Sequence, residues 1–590
     1  MATLGWFLAA GLLAALLALP GLAGASLLPQ RLAPAEELLV ALAISLAAPA
    51  LLALALLPLP VPYALAAPPI AVALLAASGA RLWWRRAWLQ GLARDPQGRL
   101  LAGCVAAGFL AALVVGALPW DTAGVGNAGR VDSFHVPLMP GDSYLQYRTA
   151  QIIQNRLPVE TTPFYANYWS ISDRTPLVGL VTTFCVSAAG IQLPSAPLYD
   201  LAVPYTLLDG YGYWLYRQLS MLSNAFVLAP AGLLAWRLLG PRTAKLGLLI
   251  CLLSPYLLIN LLFHWPKLLV GFFVLGFYLW TLVRPRPALA GAFAAGGVLS
   301  HPVGALFLPG VFLYQLLARR WRQLGLAAGL AVLLCLPWFF WTGAVYHHPS
   351  RMLTYPIGHS IDDPTHAAAE AEAAWQAFSH RPPASILGDR WVVFRDTFFT
   401  WPIPAELAAA RSLKDAHWPV FEIFRTSFPG IFGLPLAVFG FLSWLRVLRS
   451  ARWVAMLGAP VVAILLFWGV FPRAVAQEAF QPAAALWICL AVAVLLRGPT
   501  WLVRLVLALT ALELLAFVYV ALLKVPPPAG WRPEEAVLVL LSLAGTAAAL
   551  GLGWRWASEP DAAPGDAPEV DDLAPVQLEV PVGAVRGRHH

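Results

Sequence analysis

A chain of 590 residues that is 60% hydrophobic and only 12% charged, with a mean hydropathy of +0.71, excludes a string of soluble domains. Apolar runs such as 101–118, 246–262 and 501–522 approach the length that crosses a bilayer as a helix, the form in which a backbone satisfies its own hydrogen bonds in lipid. The net charge of +8 is no nucleic-acid signal, because lysine and arginine gather in short loops between apolar runs, as cytoplasmic connections do.

The first apolar runs cover 5–25, 37–57 and 62–80. Residues 1–19 have the apolarity of a signal peptide without its positive n-region, so they read as an uncleaved first span with the N-terminus outside. Arg81, Arg85, Arg86, Arg94 and Arg99 then make the most basic short loop in the chain, which belongs in the cytoplasm. The span at 101–118 therefore exits, and Trp120–Thr175 lies outside. If Pro176–Leu193 crossed the membrane, every later basic loop would face outward. Kept on the outer side as a re-entrant or juxtamembrane helix, it leaves Arg237, Arg242, Lys245, Arg284, Arg286, Arg319, Arg320, Arg322, Arg446, Arg449, Arg452, Arg497 and Arg504 in the cytoplasm. Its moderate apolarity, with Thr182 and Thr183 in mid-segment, suits an interfacial helix.

Further spans are expected at 218–238, 245–262, 268–283, 286–300, 302–318, 325–342, 431–447, 453–470, 481–496, 501–522 and 535–553. The fold class is thus an all-α polytopic membrane protein of about fifteen spans, with two long outer loops and the C-terminus inside. Its expected parts are N-terminal accessory helices (1–80), a core (100–345) holding a first outer loop (119–217), a second outer loop (343–430), C-terminal helices (431–556) and a disordered cytoplasmic tail (557–590) rich in Pro, Ala, Asp and Glu. In the second loop Ala367–Phe378 reads as a short helix and the rest as irregular. The cysteines, Cys104, Cys185, Cys251, Cys335 and Cys489, all fall in apolar runs, so no disulfide framework or thiolate metal site is expected.

Ionisable groups are scarce, so their location carries information. On this topology every histidine except His589 and His590 lies outside or at the outer boundary, as do most acidic residues before the tail. A transporter would set such groups within spans near mid-membrane, where Glu513 is the main one present. The asymmetry favours chemistry at the outer face. Within the first loop, Pro140-Gly141-Asp142-Ser143 is a turn leading into a helical stretch over Tyr144–Leu157. Asp142 suits two compatible roles there, helix N-cap and general base. Asp173-Arg174 reads either as a local ion pair or as an arginine gripping a lipid phosphate. In His264-Trp265-Pro266-Lys267, at the outer end of a span, Lys267 reads either as a snorkelling lysine beside a belt tryptophan or as the neutraliser of a phosphate. His301-Pro302 marks another outer turn, as helix breaker or ligand. The second-loop histidines, among them His347, His348, His359 and His366, lack a tight metal-ligand spacing, so a divalent metal stays open rather than expected.

These residues carry a family resemblance. An acidic turn on the outer face follows a core span, an amphipathic helix comes next, and Asp173-Arg174-Thr175-Pro176-Leu177 precedes a second outer helix. Arg237-Leu-Leu-Gly240-Pro-Arg242 closes the next span. The pattern resembles the GT-C fold glycosyltransferases, in particular the protein O-mannosyltransferase and lipid A aminoarabinose transferase group, over roughly residues 100–345. The resemblance implies Asp142 at the catalytic position, Asp173–Leu177 at that of the family's Pro-Pro-Leu motif, and a polyprenyl-phosphate sugar as donor. Two departures stand out: Ser143 takes the place of a second acid, and Thr175 that of the first proline.

The expected function is transfer of a sugar from the lipid-linked donor to a glycan, lipid or protein acceptor at the outer face of a bacterial cytoplasmic membrane. Arg174 and Lys267 come first as phosphate-binding groups, then Arg148 and Arg351, with Asp173 and His264 at the pocket edge. A ligase or polymerase of the O-antigen type would instead cluster its essential residues in 343–429. A transporter or flippase would show a continuous polar path through the bundle, and a non-catalytic assembly scaffold would show neither.

Overall fold

A computed structural model describes residues 2–28, 32–116, 145–158, 171, 175–195, 211–262, 264–345, 367–398, 455, 458–463, 465–466, 481–523 and 533–559. Asp142, Asp173, Arg174 and Arg351, and the expected spans at 431–447 and most of 453–470, lie outside these residues.

Among the described residues every regular element is a helix. The N-terminal helices are α1 (Ala2–Ala25), α2 (Pro34–Leu56), α3 (Tyr63–Trp84), the short α4 (Arg86–Arg94) and α5 (Pro96–Gly116). Two helices of the first loop follow, α6 (Leu145–Asn155) and α7 (Leu177–Ala188). Then come α8 (Tyr211–Ala225), α9 (Leu228–Leu239), α10 (Pro241–Leu253), α11 (Pro255–Leu262), α12 (Lys267–Tyr278), α13 (Pro287–Ser300), α14 (Leu308–Leu317) and α15 (Trp321–Val345). The second loop holds α16 (Ala367–Ser379) and α17 (Pro383–Phe398), and the chain closes with α18 (Ala484–Leu495), α19 (Thr500–Leu523) and α20 (Pro533–Trp556). Among the described residues eight helical stretches, α8 and α9 counted together, are long and apolar enough to cross a membrane, nine if the bent pair α10–α11 counts as one span.

Several boundaries differ from those expected, each for a local reason. The apolar run 246–262 is two helices bent by 65° at Ser254-Pro255, because proline removes a helical hydrogen bond and clashes with the preceding turn. α8 begins at Tyr211 rather than after Gln218, which moves Arg217 out of the loop and into a helix 0% exposed at that position. The second loop is helical at Pro383–Phe398 as well as at Ala367–Ser379; Pro383 sits at the first helical position, where its missing N–H costs nothing. α7 spans 12 residues, about 18 Å and well short of a hydrocarbon core. It does not lie on a lipid surface as an interfacial helix would. Leu177 through Ser187 are all buried, enclosed by α2, α3, α6 and α8.

Basic residues of several short loops gather at one end of the bundle. At that end Arg237 and Arg284 both bond Glu36 Oε1 in the first turn of α2, at 3.1 and 3.0 Å. There too Arg81 bonds Ser26, and Arg242, Lys245 and Arg504 bond Ala557, Glu559 and Ser558 just beyond α20. These are the loops that the charge pattern assigned to a common side. At the opposite end lie the α2–α3 turn, the end of α6 and the α11–α12 turn. α12 and the π-helical turn Leu279–Val283 that continues it separate Lys267 from Arg284 by about 25 Å along the axis.

Small residues let the core helices touch. A Cβ on Gly247 of α10 would lie 2.6 Å from Cys489 Sγ and 2.9 Å from Cys489 Cα on α18. The second of these atoms is backbone, so Gly247→Ala forces the two helices apart. It is expected to destabilise the bundle by about 1–3 kcal/mol, read as a lower midpoint of thermal unfolding in detergent micelles. An unchanged midpoint would refute this packing.

Candidate active site: buried cations around the α11–α12 turn

Tyr213, Arg217, Ser220 and Asn224 recur at helical spacing on α8 and so share one face; all are buried. The face meets the α11–α12 turn. Arg217 Nε donates to His264 Nε2 at 3.1 Å, and the Tyr216 hydroxyl donates to the His264 carbonyl at 3.3 Å. The rings of Tyr213 and Tyr216 meet the imidazole edge-on, with centroids 5.9 and 5.6 Å away. With Nε2 accepting from a guanidinium, that nitrogen holds no proton, and the imidazole orients Arg217.

Three residues on, Lys267 opens α12. Its ammonium lies 3.3 Å from the centroid of the Trp265 ring, a cation–π contact. Trp265 in turn meets His301 edge-on at 5.7 Å. His301 Nδ1 accepts from Val303 N at 3.2 Å, so this histidine caps the 3-10 turn Pro302–Phe307. Arg217, His264 and Lys267 are 0%, 2% and 3% exposed, an unusual concentration of cationic and basic groups in so apolar a chain.

α6 joins the group through aromatic contacts. The Tyr147 ring packs against Tyr213 and Tyr216 at 5.2 and 5.5 Å. Next in sequence, Arg148 is 2% exposed and donates to Gln151 Oε1 at 3.0 Å. Burial lowers its pKa to about 10, because a dry environment disfavours charge; it remains a cation at neutral pH.

A neutral polar network fixes the turn from below. Asn224 Nδ2 donates to the carbonyls of Trp265 and Asn260 at 3.3 and 3.4 Å, while its Oδ1 accepts from Leu269 N at 3.1 Å. Gln481 Nε2 donates to Asn260 Oδ1 at 2.6 Å, and Asn260 Nδ2 donates to the Tyr256 carbonyl at 2.8 Å. Satisfied amide networks in an apolar interior hold one arrangement rigidly.

Of the residues singled out in the sequence, His264 and Lys267 therefore share one turn, and Arg148 is buried on α6 beside Tyr147, which packs on the tyrosine cluster. Arg217, Tyr213 and Tyr216 escaped the sequence reading. Their spacing in Tyr213-Trp-Leu-Tyr216-Arg217 is the signal that marks one buried helix face. Among the described residues no three His, Cys, Asp or Glu side chains gather as a metal site would need. Chemically the cluster is a group of buried basic side chains packed among aromatics, beside the N-terminus of α12, where the helix dipole also favours an anion.

No family model matches the chain, and no curated protein matches it in sequence. Among solved structures it is similar to ArnT from Cupriavidus metallidurans bound to undecaprenyl phosphate, at 15% identity over 78% of this chain and 75% of that one, with a TM-score of 0.41. The apo form of ArnT gives 16%, 77%, 76% and 0.41. The oligosaccharyltransferase of Archaeoglobus fulgidus in complex with Zn and sulfate gives 16% identity over 78% of this chain and 59% of that one, with a TM-score of 0.39.

Proposed function

We propose that the chain is a GT-C type membrane glycosyltransferase that moves a sugar from a polyprenyl-phosphate donor to an acceptor at the outer face of a bacterial cytoplasmic membrane. The observation that carries this reading is the pair Arg217 and Lys267, buried with His264 around one turn. It lies at the end of the bundle opposite the arginine-rich loops. By the positive-inside rule those loops face the cytoplasm, so the cluster faces out. Buried basic side chains suit a phosphate ester, and a lipid-linked donor would bring one to them.

In this reading Arg217 and Lys267 neutralise the donor phosphate, with Arg174, Arg148 and Arg351 as further candidates and Asp173 and His264 as orienting groups. Asp142 takes the proton from the acceptor hydroxyl. The freed oxygen attacks the anomeric carbon, the bond from that carbon to the phosphate oxygen breaks, and polyprenyl phosphate leaves with inversion of configuration. Phosphate is already a good leaving group, so positioning and charge neutralisation supply most of the rate. The α8–α11 polar groups do not favour a transporter: the Asn224–Asn260–Gln481 bonds close that seam on itself.

Mass spectrometry of cell-envelope glycans with and without the gene tests the proposal. One class of envelope molecule is expected to lose a single sugar in the deletion strain and regain it on complementation. An unchanged glycan profile would overturn the transferase reading.

A further inference from the structure

α6 and α7 run side by side in the same direction, with Gly179 beside Gln146 and Ser187 beside Gln154. Both end in the same turn. At the end of α7, Gly190 has φ +72°, and the N–H groups of Gly190 and Ile191 reach back to the carbonyls of Ser187 and Val186. At the end of α6, Arg156 has φ +51°, and the N–H groups of Arg156 and Leu157 reach back to Ile153 and Ile152. Glycine is the residue this left-handed position prefers. Arginine stands there at a backbone cost, which directs attention to what its side chain does. Arg319, at the end of α14, shares the conformation and both side chains are exposed, so neither the backbone angle nor exposure decides anything. The contacts do.

Arg156 Nη2 donates to the carbonyls of Leu59, of Val61 at 2.8 Å and of Leu56 at 3.4 Å, all at the end of α2 or in the α2–α3 turn. Its guanidinium also lies 5.9 Å from the ring centroid of Tyr63, whose hydroxyl bonds back to the Ala53 carbonyl. The turn needs such a donor. Pro58, Pro60 and Pro62 alternate through it, and proline has no N–H, so the carbonyls that end α2 are poor in local partners. The other end of α2 is fixed as well, by Glu36 accepting from Arg237 and Arg284 and by Glu37 accepting from the Trp88 indole at 2.7 Å.

From this we infer that Arg156 is a positioning residue: it latches the α6–α7 pair to the α2–α3 turn. The three N-terminal helices then act as a jig that sets the outer helices over the cation cluster. The effect on catalysis rests on the proposed transferase reading, since α6 carries Arg148 and begins three residues after Asp142; the latch itself does not.

The test compares Arg156→Gly and Arg156→Lys with wild type in lipid nanodiscs, by hydrogen–deuterium exchange and by donor-dependent transfer. Glycine relieves the backbone but deletes the latch, so an ordinary helix cap predicts a variant as protected as wild type or more so. The latch predicts exchange about tenfold faster in peptides covering 145–155 and 177–188, with α10 and α18 unchanged. It also predicts a kcat about tenfold lower with the donor KM within about twofold, as for a displaced catalytic geometry. Lysine, which keeps one charged donor, is expected to recover part of both. Unchanged exchange in α6 and α7, or an increase spread evenly over the chain, would overturn the latch. Faster exchange confined to α6 and α7, in a protein whose wild type transfers no sugar, would uphold the latch and remove the transferase reading.

Discussion

Asp142→Asn is expected to lower sugar transfer by about 10²- to 10⁴-fold, the range a lost general base costs, while thermal unfolding stays within a degree or two of wild type. The amide keeps the side chain's size and its ability to accept a bond from the helix that follows, so a purely capping aspartate predicts near-normal turnover. The two roles therefore separate cleanly. Ser143 sharpens the prediction: serine stands where the resembled family has a second acid, so the next residue in the chain offers no carboxylate. Transfer is followed with a radiolabelled polyprenyl-phosphate sugar and extracted envelope acceptor. Near-normal turnover would remove Asp142 from the mechanism and move the search to 343–429, as a ligase-type reaction requires.

The expected sidedness rested on charge alone, and the geometry groups five of the residues it assigned to one side. Arg237 and Arg284 meet at Glu36, and Arg242, Lys245 and Arg504 meet at the end of α20. That much was legible because arginine in a scarce-charge sequence has few places to go. His264 and Lys267 were legible for the same reason. Arg217 was not, because an apolar window opens only at 218, whereas the helix begins at Tyr211 and includes Tyr213 and Tyr216, which bury their rings while scoring as polar. The break at Ser254-Pro255 was hidden inside an unbroken apolar run, where composition outweighs one proline. The enclosure of α7 was out of reach in principle. Its apolarity fits a lipid surface and a protein interior equally, and only the packing of α2, α3, α6 and α8 around it decides.

Arg217→Met is expected to weaken binding of a polyprenyl phosphate by at least about 30-fold, the low end of what losing one partner of a desolvated charge pair costs, with turnover falling in parallel. Met matches the length of the side chain without leaving a cavity but leaves buried His264 Nε2 without its donor, so stability is expected to fall by about 1–3 kcal/mol. A purely structural arginine would lower the melting point without changing the affinity of the folded protein. His264→Ala removes the acceptor of Arg217 Nε and is expected to weaken binding by about tenfold through loss of orientation, so the double variant should be no worse than Arg217→Met alone. Arg217→Lys keeps a charge but presents a single ammonium in place of the fork that spans His264 and phosphate, and should fall between the two. Affinity measured by microscale thermophoresis, with melting recorded on the same samples, decides the matter. Equal affinity of Arg217→Met and wild type would mean that the arginine serves only the tyrosine–histidine cluster, and that the phosphate, if bound at all, is held elsewhere.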